Sequence, residues 1–207
     1  MKSFFTALLV VAAAMPNAFA AEKMSPKKDL KTNPEVTKLD VTGEIKWTGY
    51  GVGKQHHGTL ALKSGVVEFK KNQLADGTFF IDMATLKTSD SPKLEAHLRS
   101  EDFFNVEKFK EATFKITKVE KLKPAAIGDA THKITGELTI KGKTEELSFD
   151  AVISEADKKF TAVAKAQIAD RTKFDIVYNS AKFKAASLLG NKLIEDKIDI
   201  ELSLKTQ

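Results

Sequence analysis

The chain has 207 residues, with 33 Lys+Arg against 28 Asp+Glu for a formal net charge of +5, and it contains no cysteine. Its lysines are dispersed among apolar and threonine residues, as in FKITKVEKLK, which argues against nucleic acid as a partner, since such binders cluster their basic residues and interleave aromatics. Without cysteine there is no disulfide framework, no thiol nucleophile and no lipidated cysteine, so the fold must rest on its core alone.

Residues 1–20, MKSFFTALLVVAAAMPNAFA, place a positive Lys2 before an apolar run from Phe4 to Met15 and a small-x-small end at Ala18-Phe19-Ala20. That is the layout of a secretory signal peptide, with cleavage expected after Ala20 and export from the cytoplasm as its consequence. The run is too short to span a bilayer as a helix, and no later stretch is apolar enough. Residues 21–36 combine charges, two prolines and few apolar side chains. They read as a mobile leader, which leaves 37–207 as one domain.

From there the apolar residues alternate with polar ones at period two, the mark of strands with one wet face. Val41, Ile45 and Trp47 form the first set, Leu60 and Leu62 the second, and Val67 and Phe69 lead through a turn-like Asn72–Gly77 into Phe79, Ile81 and Met83. Phe114 and Ile116 follow, then Ile134, Leu138 and Ile140, then Leu147, Phe149, Ala151 and Ile153. Phe160 to Ile168 and Ile198 to Leu204 complete about eight strands. Antiparallel sheets with one solvated face give this alternation, whereas a covered parallel sheet reads as continuous apolar runs. Strands of this length lose their unpaired edges most simply by closing into a barrel, with a two-sheet sandwich as the alternative.

Two interruptions stand out. Ser91-Pro92 has the grammar of a helix start, with Leu94 and Leu98 on one face. It runs into HLRSEDFFNVEKF, residues 97–109, which is too charged for a buried strand and too rich in Phe for a solvated loop. The second interruption, Arg171–Lys192, holds Phe174, Ile176, Tyr178, Phe183, Leu188 and Leu189. A loop that long and apolar is expected to pack as a cover.

Catalytic grammar is absent: there is no GxSxG, HExxH, P-loop or dinucleotide fingerprint. His56-His57 on a strand point to opposite faces, and no third or fourth metal ligand suggests itself by spacing. No catalytic residue, metal site or cofactor is therefore expected. Along one strand the inward positions read Phe160, Ala162, Ala164, Ala166 and Ile168. Interiors are close-packed, so three alanines in a row are either filled by larger partners, such as Trp47, Phe79 or Phe149, or leave room for a guest.

These residues resemble a known family, the YceI-like, polyisoprenoid-binding proteins of the bacterial periplasm. The resemblance runs from about Val41 to Leu204 and is carried by His57-Gly58-Thr59, FFIDM at 79–83, HLRSEDFF at 97–104, Ala112-Thr113-Phe114, GELTIKG at 136–142 and DRTKF at 170–174. It implies a lipocalin-like, eight-stranded antiparallel up-and-down barrel with a short helical lid and an apolar tunnel for an isoprenoid, quinone-like or acyl-chain lipid. It also implies a periplasmic carrier, with a homodimer as a further expectation, and the mildly basic charge balance adds transient contact with an anionic membrane surface. A barrel with a solid interior, serving as a protein-interaction or stress-response module, is the alternative. Where the family usually has proline before ATF and glycine four residues after the arginine of DRTKF, this chain has Lys110-Glu111 and Asp175.

On this reading the expected ligand contacts are Trp47, Leu60, Leu62, Phe69, Phe79, Ile81, Met83, Leu94, Leu98, Phe103, Phe104, Phe114, Ile116, Ala162, Ala164, Ala166 and Ile168. The 97–109 stretch becomes a lid, with Phe109 also turned inward and Glu101, Glu107 and Lys108 in water. His57, Arg99 and Arg171 are the head-group candidates, because a guanidinium fork suits phosphate or carboxylate. A structural role, as a rim ion pair for Arg99 or a hydrogen-bonded strand residue for His57, is the competing reading.

Overall fold

In the computed structural model, which describes residues 36–156 and 159–207, every strand is hydrogen-bonded on both sides. The order is β1 (Val36–Gly51), β2 (Lys54–Lys70), β3 (Gln73–Thr88), β4 (Glu111–Lys121), β5 (His132–Ile140), β6 (Lys143–Ala156), β7 (Lys159–Ile168) and β8 (Ile194–Thr206). All neighbours are antiparallel and sequential. The ring closes where β1 meets β8, from Val41↔Thr206 to Gly51↔Ile194. Closure removes the sheet edges, so the barrel and not the sandwich is the outcome. The expected signal peptide, 1–20, and the expected leader, 21–36, lie outside the described residues except for Val36, which opens β1.

Short connections enforce the up-and-down path. Lys71-Asn72 and Lys141-Gly142 are two-residue turns with positive φ at both positions, the geometry that matches the twist of a hairpin. The turn expected over Asn72–Gly77 is therefore shorter than its composition suggested. β3 already starts at Gln73, and Asp76-Gly77 lie within the strand, across from Glu68 and Val67. The polar residues there are accommodated by a register shift between Glu68 and Phe69.

The two ends of the barrel differ. At the lower end, Val41, Val67, Phe69, Leu74 and Phe160 are buried and form a packed floor. Phe69 and Phe160 meet edge to face with ring centres 6.0 Å apart, a favourable aromatic geometry. At the upper end two segments lie across the opening. One is α1 (Pro92–Arg99) with the turns that follow it. The other runs from a 3-10 turn, Arg171–Phe174, to β8 and includes the one-turn helix α2 (Ala186–Leu189).

Candidate functional site

Large aromatic rings would fill an eight-stranded barrel if they pointed across it. Here glycines let them lie against the wall. Gly58 pairs with Trp47, and a side-chain carbon on it would fall 2.4 Å from the indole. Gly65 pairs with Phe79, and a Cβ on it would sit 2.9 Å from that ring. A Cβ at Gly136 would strike Phe114 at 2.4 Å. Trp47 and Phe79, two of the residues able to fill the space beside the alanines, therefore do not, and the third, Phe149, lines the open space as they do. Ala162, Ala164 and Ala166 leave the opposite wall low, with Ala151 beside Ala164 on the next strand.

The result is an apolar cavity of about 500 Å³, within the range of roughly 300–1,000 Å³ typical of small-molecule sites. Inward residues of β8, from Ile198 to Leu204, remain half-buried inside a closed barrel because they border this open space. All the expected ligand contacts line it except Phe69, which belongs to the floor instead. The lining also takes in Ile45, Leu138, Leu147, Phe149, Ile153, Ile200 and Leu202. Their strand alternation had already turned these residues inward, but it did not separate wall from floor.

Every polar lining residue belongs to the upper end, among them Tyr50, Lys54, His56, Asn179, Asn191, Lys192 and Lys197. The cavity thus has an apolar interior and a polar rim at one end. Over that end the two covers meet through an aromatic cluster. The His97 ring sits 5.0 Å from Phe103 and 4.8 Å from Tyr178, edge on to both. Leu94, Leu98, Phe103 and Phe104 face the cavity, whereas Glu101, Glu107 and Lys108 are exposed. Phe109, expected inward, is absent from the lining and packs beside Gly142 in the β5–β6 turn. Val106 is buried in that segment, as are Leu98 and Phe103.

Of the head-group candidates, Arg99 and His57 take the structural places that competed with a ligand contact. Arg99 is not in the cavity wall. Its guanidinium donates to the carbonyls of Ala84 (2.7 Å) and Leu86 (2.9 Å) and lies 3.6 Å from Glu95, pinning α1 to the end of β3. His57 is on the exposed outer face, 3.0 Å from the Thr48 hydroxyl. The strand periodicity that sends His57 outward sends His56 to the rim, where its Nδ1 is 3.1 Å from Asp90.

Arg171 does reach the lining but is only 2% exposed. It donates to the carbonyls of Ile176 (2.6 Å), Tyr178 (2.9 Å), Ile194 (3.2 Å) and Glu195 (3.0 Å), and Asp196 stands 3.5 Å away. Burial lowers its pKa, with Asp196 and Asp170 opposing the change; a guanidinium stays charged regardless. Four of its five N–H donors are spent on backbone, so it organises the cover rather than meeting a ligand's charge.

The polar groups at the rim are held in place. Tyr50 donates to Asp199, which also accepts from Gln167 at 2.7 Å. Those two hydrogen bonds hold the Asp199 carboxyl below its ordinary range. Burial would raise Asp170, but the Lys182 ammonium and the Thr172 hydroxyl outweigh it and lower its pKa. Among the described residues, no three His, Asp or Glu side chains converge in a metal-ligating group.

The YceI-like domain model matches residues 30–206. A UPF0312 protein of Vibrio parahaemolyticus is 29% identical over 153 residues, 72% of each chain. Protein YceI of Escherichia coli O157:H7 is 33% identical over 127 residues, 59% of this chain and 60% of that protein. In three dimensions the fold is similar to BcnA of Burkholderia cenocepacia, with a TM-score of 0.60 at 20% identity over 80% of this chain and 96% of that one. It is also similar to a polyisoprenoid-binding domain of Saccharophagus degradans, with a TM-score of 0.55 at 9% identity over 82% of this chain and 98% of that one.

Proposed function

The chain belongs to the YceI-like family, and on that premise we propose that it is a carrier, not an enzyme, whose barrel holds an isoprenoid or similar long-chain amphiphile. The observation that carries this reading is the cavity itself: about 500 Å³, apolar from floor to mid-barrel, with polar side chains only at one end. A ligand with an oily tail and one polar terminus fits that division. The similarly folded Saccharophagus domain, described as polyisoprenoid-binding, supports the choice of tail. Quinone-like and acyl-chain lipids share the same chemistry and are the neighbouring candidates.

The tail enters first, and the head group stays at the rim near Lys54, Asn191 and Lys192. Each CH₂ removed from water is worth about 0.8 kcal/mol. A tail drawn from a bilayer has already gained most of that, so its transfer into the cavity is close to neutral. Shape and rim contacts then set the preference, which favours loose tail specificity and exchange with membranes. The N-terminal layout of Lys2, the apolar run and Ala18-Phe19-Ala20 supports a periplasmic site of action.

The test is native mass spectrometry on protein purified from a bacterial periplasm without detergent, repeated after organic extraction. A discrete adduct of isoprenoid or acyl mass, released by solvent, is the expected result. A clean apo mass, together with failure of added isoprenoids to bind, would overturn the carrier reading. The same spectrum reads the homodimer that the family resemblance leads us to expect.

A further inference from the structure

We propose that the segment between Asn179 and Lys192 docks the barrel, mouth first, onto the surface of an anionic phospholipid bilayer. The segment reads NSAKFKAASLLGNK, with three lysines and no acid. It leaves the barrel and returns to it at the cavity rim: Asn179, Asn191, Lys192 and Leu193 all line the cavity, and the Ile194 amide closes the base on the Asn179 carbonyl at 3.0 Å.

Elsewhere among the described residues, exposed large apolar side chains are single or paired valines and one isoleucine. Here Phe183 is 64% exposed and Leu188 is 73% exposed. Val52, in the β1–β2 turn that also borders the rim, is 51% exposed. These side chains are presented by a built platform. Ser180 is fully buried, and its carbonyl accepts from the amides of both Phe183 and Lys184. Leu189 turns inward at 4% exposure, while its neighbour Leu188 turns out.

Charge selects the partner. Lys182 is drawn toward Asp170 and Asp196, but Lys184, Lys192 and Lys54 make no ion pair among the described residues. Cations flanking protruding apolar side chains suit a lipid interface, where the ring and the isobutyl group enter the acyl boundary and the ammonium groups meet anionic head groups. Docked this way, the rim faces the bilayer and a tail can pass into the barrel without crossing water. That last step rests on the carrier reading; the docking does not.

The test uses the full chain and vesicles of phosphatidylglycerol mixed with phosphatidylcholine brominated on its acyl chains, with no isoprenoid present. Phe183→Trp places a fluorophore on the segment, and Ile127→Trp places one in the loop between β4 and β5 at the lower end. Quenching of the first and not the second is expected, and it should vanish on pure phosphatidylcholine vesicles. The triple variant Phe183→Ser, Leu188→Ser, Lys184→Glu should lose roughly 25-fold in vesicle partitioning or more, since each unit of charge near such a surface is worth about fivefold. Ala164→Phe, which blocks the cavity, should dock like the unmodified protein. Docking that persists while the unmodified protein itself retains no lipid would therefore sink the carrier reading alone. Equal quenching at both positions, none at either, or unchanged partitioning of the triple variant would overturn the docking proposal. So would self-association in the absence of vesicles that the same triple variant abolishes, which would assign the patch to a second copy.

Discussion

Ala162, Ala164 and Ala166 carry the smallest side chains of the β7 wall, and what they leave open is the lumen. Ala164→Phe directs a ring into that space. Overpacking a filled core costs typically about 1–3 kcal/mol, but here the ring meets a cavity. The variant should melt near the unmodified protein and retain no lipid after purification. Mass spectrometry beside a thermal scan checks both, and retention at the original level would place the ligand path away from β7. Arg171 presents the opposite case, a charge buried for its hydrogen bonds. Arg171→Ala strands four carbonyls and leaves Asp196 with only Lys182, 4.0 Å away, as a counter-charge. The expected destabilisation is about 3–5 kcal/mol, read by denaturant unfolding. A shift under 1 kcal/mol would mean that water replaces those bonds freely. His132 adds a pH signature. Burial, aided by Lys121, lowers its pKa from the ordinary 6.5. The unfolded chain therefore binds the proton first, and stability falls as pH drops from about 6.5 toward the folded-state value. His132→Asn should flatten that slope in unfolding midpoints measured between pH 7.5 and 5.

At the scale of elements, the helix and turns over the upper end are held by few bonds, each of them identifiable. The Ser91 hydroxyl caps α1 by accepting from the Leu94 amide at 3.2 Å, and Arg99 ties its last turn to β3. Arg99→Ala removes the second tie at a cost of about 1–3 kcal/mol to the cover alone. The barrel strands have their own ladders. Hydrogen exchange should rise across residues 92–106 while β5 to β7 stay protected. Protection lost uniformly would show instead that the cover and the barrel open as one unit.

For the whole molecule, a closed ring of sequential strands couples every wall to the cavity. A ligand that binds only the folded barrel stabilises it in proportion to the logarithm of its saturation, by about 2.7 kcal/mol at a hundredfold excess over Kd. The melting temperature should therefore climb with added isoprenoid in the unmodified protein and stay flat in Ala164→Phe. A rise in both would mean that the lipid acts on the outer surface rather than in the lumen.

The all-β character, the eight strands and the inward set were legible in the sequence, because a strand's side chains alternate faces and a two-residue period needs no tertiary information. The helix start at Ser91-Pro92 was legible for the same local reason: capping uses neighbours in the chain. Legible too was the room beside β7, though not whether anything filled it. That depended on Gly58 and Gly65, the cross-strand partners of Trp47 and Phe79, and on Gly136, which pairs with Ile116 and lies against the Phe114 ring, so it depended on register. Register likewise decided that Phe69 is floor rather than wall. Ring closure decided which end carries the polar rim. For Arg99 the sequence left a structural tie and a head-group contact both open, and Arg171 stood as a head-group candidate, since nothing in sequence spacing foretells which carbonyls a folded chain leaves unpaired. Only the tertiary structure brings those carbonyls within reach, and a buried charge binds the acceptors it finds there.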